Sequence, residues 1–249
     1  MRRPAAVTTA VLCFALAAPS AATAQVREIK DAAAIPPFSA GKVGAPQSPW
    51  IIVRVNERKK LTDFDMVEDG GKVVLHAKSD AGASGIGVRT ALDVAKTPTL
   101  AWRWKIAGVV EGADNSVAGK EDAAARIVLA FDGDKDKLSF GERTTMKLAS
   151  SVYSQELPYA TLMYIWSSSA PVGTVIANPH TGRIKMIVVA SGNGDAGKWQ
   201  SVKRNLREDY KKAFGEEPGT LTSITAFSDA DNTGTRAEAW FGDISLSAP

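Results

Sequence analysis

Thiols are almost missing from this chain. Its 249 residues include a single cysteine, Cys13, so no disulfide framework or zinc ribbon can be built from it, and its place in an N-terminal segment expected to be removed leaves no cysteine nucleophile. Histidine is nearly as scarce. His76 and His180 are the two present, and they do not stand at metal-ligand spacing. No Gly-x-Ser-x-Gly nucleophile elbow occurs either. An excess of one charge is also lacking. Of 30 Lys and Arg residues, Arg2 and Arg3 lie in an N-terminal segment expected to be removed, which leaves 28 against 27 Asp and Glu. That balance excludes a basic field for nucleic acid. Past the N-terminus no apolar run approaches the ~20 residues of a membrane-spanning helix. With 45% hydrophobic and 23% charged residues, the composition is globular rather than collagen-like, coiled or disordered.

The N-terminus reads as an address. Met1-Arg-Arg-Pro4 is a short positive region, residues 5–18 are small and apolar, and Ala22-Thr-Ala24 precedes Gln25 as a small-x-small cleavage site. Together these describe a secretory signal peptide over residues 1–24, cut after Ala24. Cys13 follows Ala10-Val-Leu12, which is not a lipoprotein box, and the paired arginines lack a twin-arginine context. The expectation is export to a periplasm or beyond, with a mature chain free of cysteine.

Residues 25–49, with Pro36-Pro37, Pro46 and Pro49, read as an extended, loosely packed lead-in. From Trp50 on, short runs rich in Val, Ile, Thr and aromatics alternate with turn signals. They cover residues 50–55, 72–78, 85–94, 99–106, 122–131, 160–166, 183–191, 220–228 and 236–246. Many short strands without intervening helices predict a mainly all-β, antiparallel β-sandwich forming one domain over residues 50–249. Residues 198–214 break the pattern. Val202, Leu206, Tyr210 and Phe214 fall four apart, which predicts one amphipathic helix packed on the sandwich and closed by Gly215.

Alternation assigns faces within strands. Leu100, Trp102, Trp104 and Ile106 share one face of residues 99–106, and Arg103 and Lys105 the other. In residues 122–131, Ile127, Leu129 and Phe131 make an apolar face. Arg126 falls on the second face, which Val128 and Ala130 mark as partly covered, so it calls for a carboxylate partner.

Several runs occur together in a telling order: Ala83-Ser-Gly85, Trp102-Arg-Trp-Lys105, Asp122-Ala-Ala-Ala-Arg126, Leu157-Pro-Tyr-Ala-Thr-Leu-Met-Tyr-Ile-Trp166 and Ala190-Ser-Gly192. Asp209-Tyr210, Phe214-Gly-Glu216, Asp229-Ala-Asp-Asn-Thr-Gly234 and Ala239-Trp-Phe-Gly-Asp-Ile244 follow. The combination resembles the bacterial family called domain of unknown function 3047, from about Trp50 to Leu246. Two positions depart from the family pattern: Glu121 stands where a second Asp would precede Asp122, and Asn205 where an Asp would follow Arg204. The resemblance implies a sandwich of jelly-roll, galactose-binding-like type and assigns no reaction.

Three clusters are candidate sites. Asp229, Asp231 and Asn232, with Asp243 nearby in sequence, supply the hard oxygens that a structural calcium prefers; the same side chains suit an Asx turn equally well. Six tryptophans offer flat faces for sugar rings. Most belong in a core, but Trp166 beside three serines and Trp199 beside a glycine-rich turn are the better exposed candidates. Arg103, Lys105 and Arg126, with Arg183 and Lys185, would form a basic strip for carboxylated or phosphorylated ligands if their strands are neighbours; a solvated outer face is the alternative. For catalysis, Tyr164, Arg126 and His180 are the residues from which a lyase base and clamp could be assembled. The primary expectation is a monomeric, exported binding protein for a glycan or an anionic envelope ligand. A polysaccharide-active lyase or hydrolase and an accessory protein of envelope assembly remain the alternatives.

Overall fold

The computed structural model describes residues 27–152, 157–179 and 181–249. The expected signal peptide and His180 lie outside the described residues. In chain order the strands are β1 (Ile51–Arg54), β2 (Asp63–Asp69), β3 (Lys72–Asp80), β4 (Ala83–Leu92), β5 (Thr99–Ile106) and β6 (Arg126–Phe131). After helix α1 (Phe140–Val152) come β7 (Ala160–Ser167), β8 (Val175–Asn178), β9 (Thr181–Ser191) and β10 (Gln200–Asn205). Helix α2 (Leu206–Phe214) precedes β11 (Leu221–Asp229), β12 (Arg236–Phe241) and β13 (Ser245–Ser247).

Two sheets result, as the sequence predicts. One runs β1-β4-β11-β6-β7-β9-β8 and the other β10-β5-β12-β3-β2, with β13 also on β5. Neighbours are antiparallel except β7 and β9. On β5, β12 pairs with Trp104–Ile106 and β13 with residues 99–101, so the two line one edge in succession while β10 takes the other.

Stacked sheets lie about 10 Å apart and need large side chains between them. Strand β5 buries Leu100, Trp102, Trp104 and Ile106, each at most 3% exposed. Trp102 meets Trp104 edge-on at 5.4 Å and Tyr164 of β7 at 5.0 Å, and Trp104 approaches Trp166 at 6.0 Å. This aromatic seam joins both sheets into one core.

Three local expectations change. The lead-in is packed rather than loose: Ile29, Ile35, Phe38 and Trp50 belong to the core. Phe38 lies 4.4 Å from Trp50, whose indole N–H donates to the Pro36 carbonyl at 3.1 Å. Prolines hide a period without preventing burial of the apolar residues between them. The long helix is half strand, because residues 200–205 pair with β5 and helix begins only at Leu206. A spacing of four satisfies a strand's period of two as well as a helix, so Val202 and Leu206 could not discriminate. Asn205, the departure from the family pattern, caps α2 by accepting from the Glu208 N–H at 3.2 Å, and Gly215 closes it at φ 76°. Helix α1 was not predicted. Its capping box is nonetheless in the sequence: the Ser139 N–H donates to the Glu142 carboxylate at 2.9 Å, and the Glu142 N–H to the Ser139 hydroxyl at 3.2 Å.

Trp104→Ala should cost about 3–5 kcal/mol in urea unfolding, since it opens a cavity in the seam. Phe140→Ala, at a side chain 80% exposed, should stay within about 0.5 kcal/mol.

Candidate functional site

The outer face of the second sheet carries a row of aromatic and charged side chains set by strand register. In β12, Ala237, Ala239 and Phe241 point into the core, which turns Glu238 and Trp240 outward. Trp240 stands opposite Lys105 of β5 on one side and His76 of β3 on the other. Gln200 pairs with Trp104, so Trp199, one residue earlier, continues the row past Lys105.

The row is stacked side to side. Lys105 Nζ lies 4.3 Å from the Trp240 ring centre and 5.3 Å from that of Trp199. His76 lies parallel to Trp240 at 4.6 Å and 7°. Arg103 places its guanidinium carbon 4.4 Å over Trp199. Lys105 flanks Trp240 on the β5 side and His76 on the β3 side, and the Trp240 indole N–H has no acceptor among the described residues. Both cations on Trp199 come from β5, and β10 is the edge strand. No second aromatic ring stacks on Trp199 among the described residues.

Acids finish the arrangement. Asp69 accepts a short hydrogen bond from Lys105 and one of 3.4 Å from the Trp199 indole. Glu238 Oε1 lies 2.8 Å from His76 Nε2. The Lys105 hydrogen bond, helped by the Trp199 indole and by the charges of Lys105 and Arg103, outweighs desolvation and holds Asp69 below the ordinary carboxylate range.

Of the residues singled out from sequence, Arg103, Lys105 and Trp199 come together here. Tyr164 and Trp166 do not, for both are core residues at most 2% exposed. The Tyr164 hydroxyl donates to Asp209 at 2.7 Å, and burial with the nearby Asp209 charge pushes its phenol well above the usual range. The Trp166 indole donates to the Gly192 carbonyl at 3.0 Å. Arg126 lies on the other sheet, bonded through two nitrogens to Asp229 at 2.8 and 2.9 Å. The continuous basic strip does not form, because β6 and β9 belong to a different sheet from β5. Nor do Tyr164 and Arg126 share a cleft in which a base and a clamp would meet. Trp240, His76, Asp69 and Glu238 were missed. Alternation within β12 and β3 marks the outward face of Trp240 and His76, but only cross-strand register reveals that they adjoin Lys105.

Asp229 and Asp231 gather with Asp122, their carboxylates within 4.8 Å of one another. Arg126 serves Asp229, Lys59 forms a short ion pair with Asp231, and Lys59 also donates to Asn232 at 3.3 Å. Asp122 accepts from the Asn232 and Thr233 N–H groups at 3.2 and 2.7 Å and from the Thr233 hydroxyl at 2.7 Å. Burial raises Asp229, Arg126 opposes that, and the Asp122 charge adds to it. Two lysine and arginine charges therefore stand where a calcium shell of six to eight oxygens would have to form. Asp243 is elsewhere: it accepts from the Ser39 N–H at 2.8 Å and hydroxyl at 2.6 Å.

A family model described as "Protein of unknown function (DUF3047)" matches residues 48–245, which is well over half of the chain. The chain belongs to the DUF3047 family. No curated protein matches the sequence significantly. Among solved structures it is similar to the family 30 carbohydrate-binding module of cellulosomal cellulase Cel9D-Cel44B of Clostridium thermocellum: 15% identity, 90% of this chain and 96% of that one, TM-score 0.37. It is also similar to the xyloglucanase domain of NopAA, a type three effector from Sinorhizobium fredii in complex with cellobiose, at 9% identity, 82% and 98% coverage and TM-score 0.40. A family 12 glycoside hydrolase gives 10% identity, 83% and 96% coverage and TM-score 0.43. All three likenesses are distant.

Two outcomes follow for this DUF3047 protein. A lowered carboxyl stabilises the folded arrangement above its unfolded pKa and loses that contribution as pH falls through the folded value. The Asp69 carboxyl carbon, followed by NMR, should therefore report an ionised group from neutral pH down to about 4 and titrate only below it; Lys105→Met should move that titration back toward the ordinary carboxylate range. Melting with added calcium should match melting in chelator within about 1 °C, because Lys59 and Arg126 already neutralise the acidic cluster; specific binding would instead raise Tm with ligand concentration.

Proposed function

We propose that this protein is an exported carbohydrate-binding protein that takes its ligand on the outer face of the β10-β5-β12-β3-β2 sheet. The observation that carries the reading is the row Trp199, Lys105, Trp240, His76 on a solvent-facing surface. Outer faces of a sandwich are ordinarily lined by independent polar side chains. Here two indoles and an imidazole are half-buried against one another and against paired ions, so they are held in place before any ligand arrives. Sugars are recognised by flat apolar surface with fixed donors and acceptors around it. The Trp199 ring, at the edge of the sheet, supplies the first. The Trp240 indole N–H, the Arg103 guanidinium and the Asp69 and Glu238 carboxylates supply the second. Rigid rings lose little conformational entropy on binding, which favours them as contacts.

Isothermal titration against a panel of neutral and acidic oligosaccharides tests this. Trp199→Ala should weaken binding about tenfold, the ~1.4 kcal/mol of one aromatic contact, and Trp240→Ala should weaken it by removing an indole donor, with circular dichroism unchanged. If no glycan in the panel binds, the reading fails. Export rests on residues 1–24 alone. Expressed from its full sequence in a Gram-negative host, the protein should be recovered from the periplasmic fraction with Gln25 as its N-terminus.

A further inference from the structure

We propose that the ligand is an acidic glycan and that Arg103 binds a carboxylate on it; this rests on the binding face proposed above. Arg103 differs from every other cation in the row. Lys105 is satisfied by Asp69, and His76 faces Glu238. The Arg103 guanidinium has no acceptor within hydrogen-bonding distance among the described residues, although it is only partly exposed. Asp69, whose carboxyl feels the Arg103 charge, already accepts from Lys105 and from the Trp199 indole.

Its position is nevertheless fixed. Trp199 lies against one side at 4.4 Å. On another the chain runs across Gly242, where an added Cβ would fall 2.4 Å from Arg103 Cγ and 2.5 Å from Nε. The Gly242 N–H donates to the Arg103 carbonyl at 2.8 Å, tying the glycine to the strand beneath. A residue with a side chain at 242 would push the guanidinium off its path. A planar cation oriented in this way, with its donors unused, is a preorganised fork. Two parallel N–H donors match the two oxygens of a carboxylate, and a planar fork distinguishes that group from a point charge. Trp199 lies against the fork, so a glycan running along this edge of the sheet can meet both the ring and the guanidinium. A uronic-acid residue has that combination of apolar face and planar anion.

The test compares oligogalacturonate, its methyl ester and a neutral glucan of equal length by titration calorimetry on the mature protein, with a sugar phosphate as a further arm. The acid should bind about tenfold or more tighter than its ester. Arg103→Gln should bring that ratio close to one, the acid losing far more affinity than the ester. Arg103→Lys, which keeps charge without the fork, should lose most of the preference too. Equal binding of acid and ester by the native protein, or a ratio indifferent to Arg103→Gln, would overturn the assignment and leave the binding face standing. Tighter binding of the sugar phosphate than of the uronate would overturn the carboxylate specifically. Failure of every glycan to bind would remove both.

Discussion

Strand β5 alternates without a break between a face that fills the core and a face that meets solvent. Leu100, Trp102, Trp104 and Ile106 go inward, and Arg103 and Lys105 go outward. The inward set fixes where the outward set stands. Removing a buried tryptophan costs about 3–5 kcal/mol, whereas a cation over an indole contributes only about 0.5–2 kcal/mol. The stacked row on the outer face is therefore a consequence of the fold and not its support, which leaves it free to vary for function. Pairing on both edges of β5 extends the same control sideways. Strand β10 delivers Trp199 and β12 delivers Trp240 at the level of Lys105.

What the sequence made legible was local. Alternation in residues 99–106 identified both the core pair of tryptophans and the outward cations, and the Leu206, Tyr210, Phe214 stripe marked the part of α2 that exists. Signals that depend on distant partners were not legible. Whether Trp240 stands next to Lys105 is a matter of inter-strand register, and nothing within 236–246 encodes it. Strand β7 shows the complementary difficulty. It is buried along nearly its whole length, on both faces, so a polar neighbourhood such as Ser167 to Ser169 carried no information about the exposure of Trp166. The serines are engaged internally: Ser167 donates to Asn115 at 2.9 Å and Ser168 to the Val110 carbonyl at 3.0 Å.

Buried polar clamps explain why the catalytic candidates look plausible as a sequence and dissolve as a site. Arg204 grips Asp209 through two nitrogens at 2.7 and 2.5 Å, and Asp209 holds the Tyr164 hydroxyl, which ties α2 and β10 to β7. Arg183 donates to the Tyr159 carbonyl at 3.0 Å and to Glu216 at 2.7 Å, fastening β9 to the segment after α2. Buried charges are tolerable only when paired in this manner. Tyrosine, arginine and acid in proximity are the residues of a lyase, and equally those of a satisfied interior.

Arg126 and Arg103 differ in one respect that decides their roles. Arg126 has all three guanidinium nitrogens engaged, by both Asp229 oxygens, by the Glu121 carbonyl and by the Met163 and Met186 sulfurs. Any ligand would have to displace partners that are already desolvated, at a cost no exposed contact recovers. Arg103 is as firmly placed, yet by an indole face and a glycine, neither of which takes a hydrogen bond from it. Water occupies such donors in the free protein and leaves them readily. Immobilisation without saturation is what separates a recognition arginine from a structural one, and on this molecule it singles out the outer face of the β5 sheet.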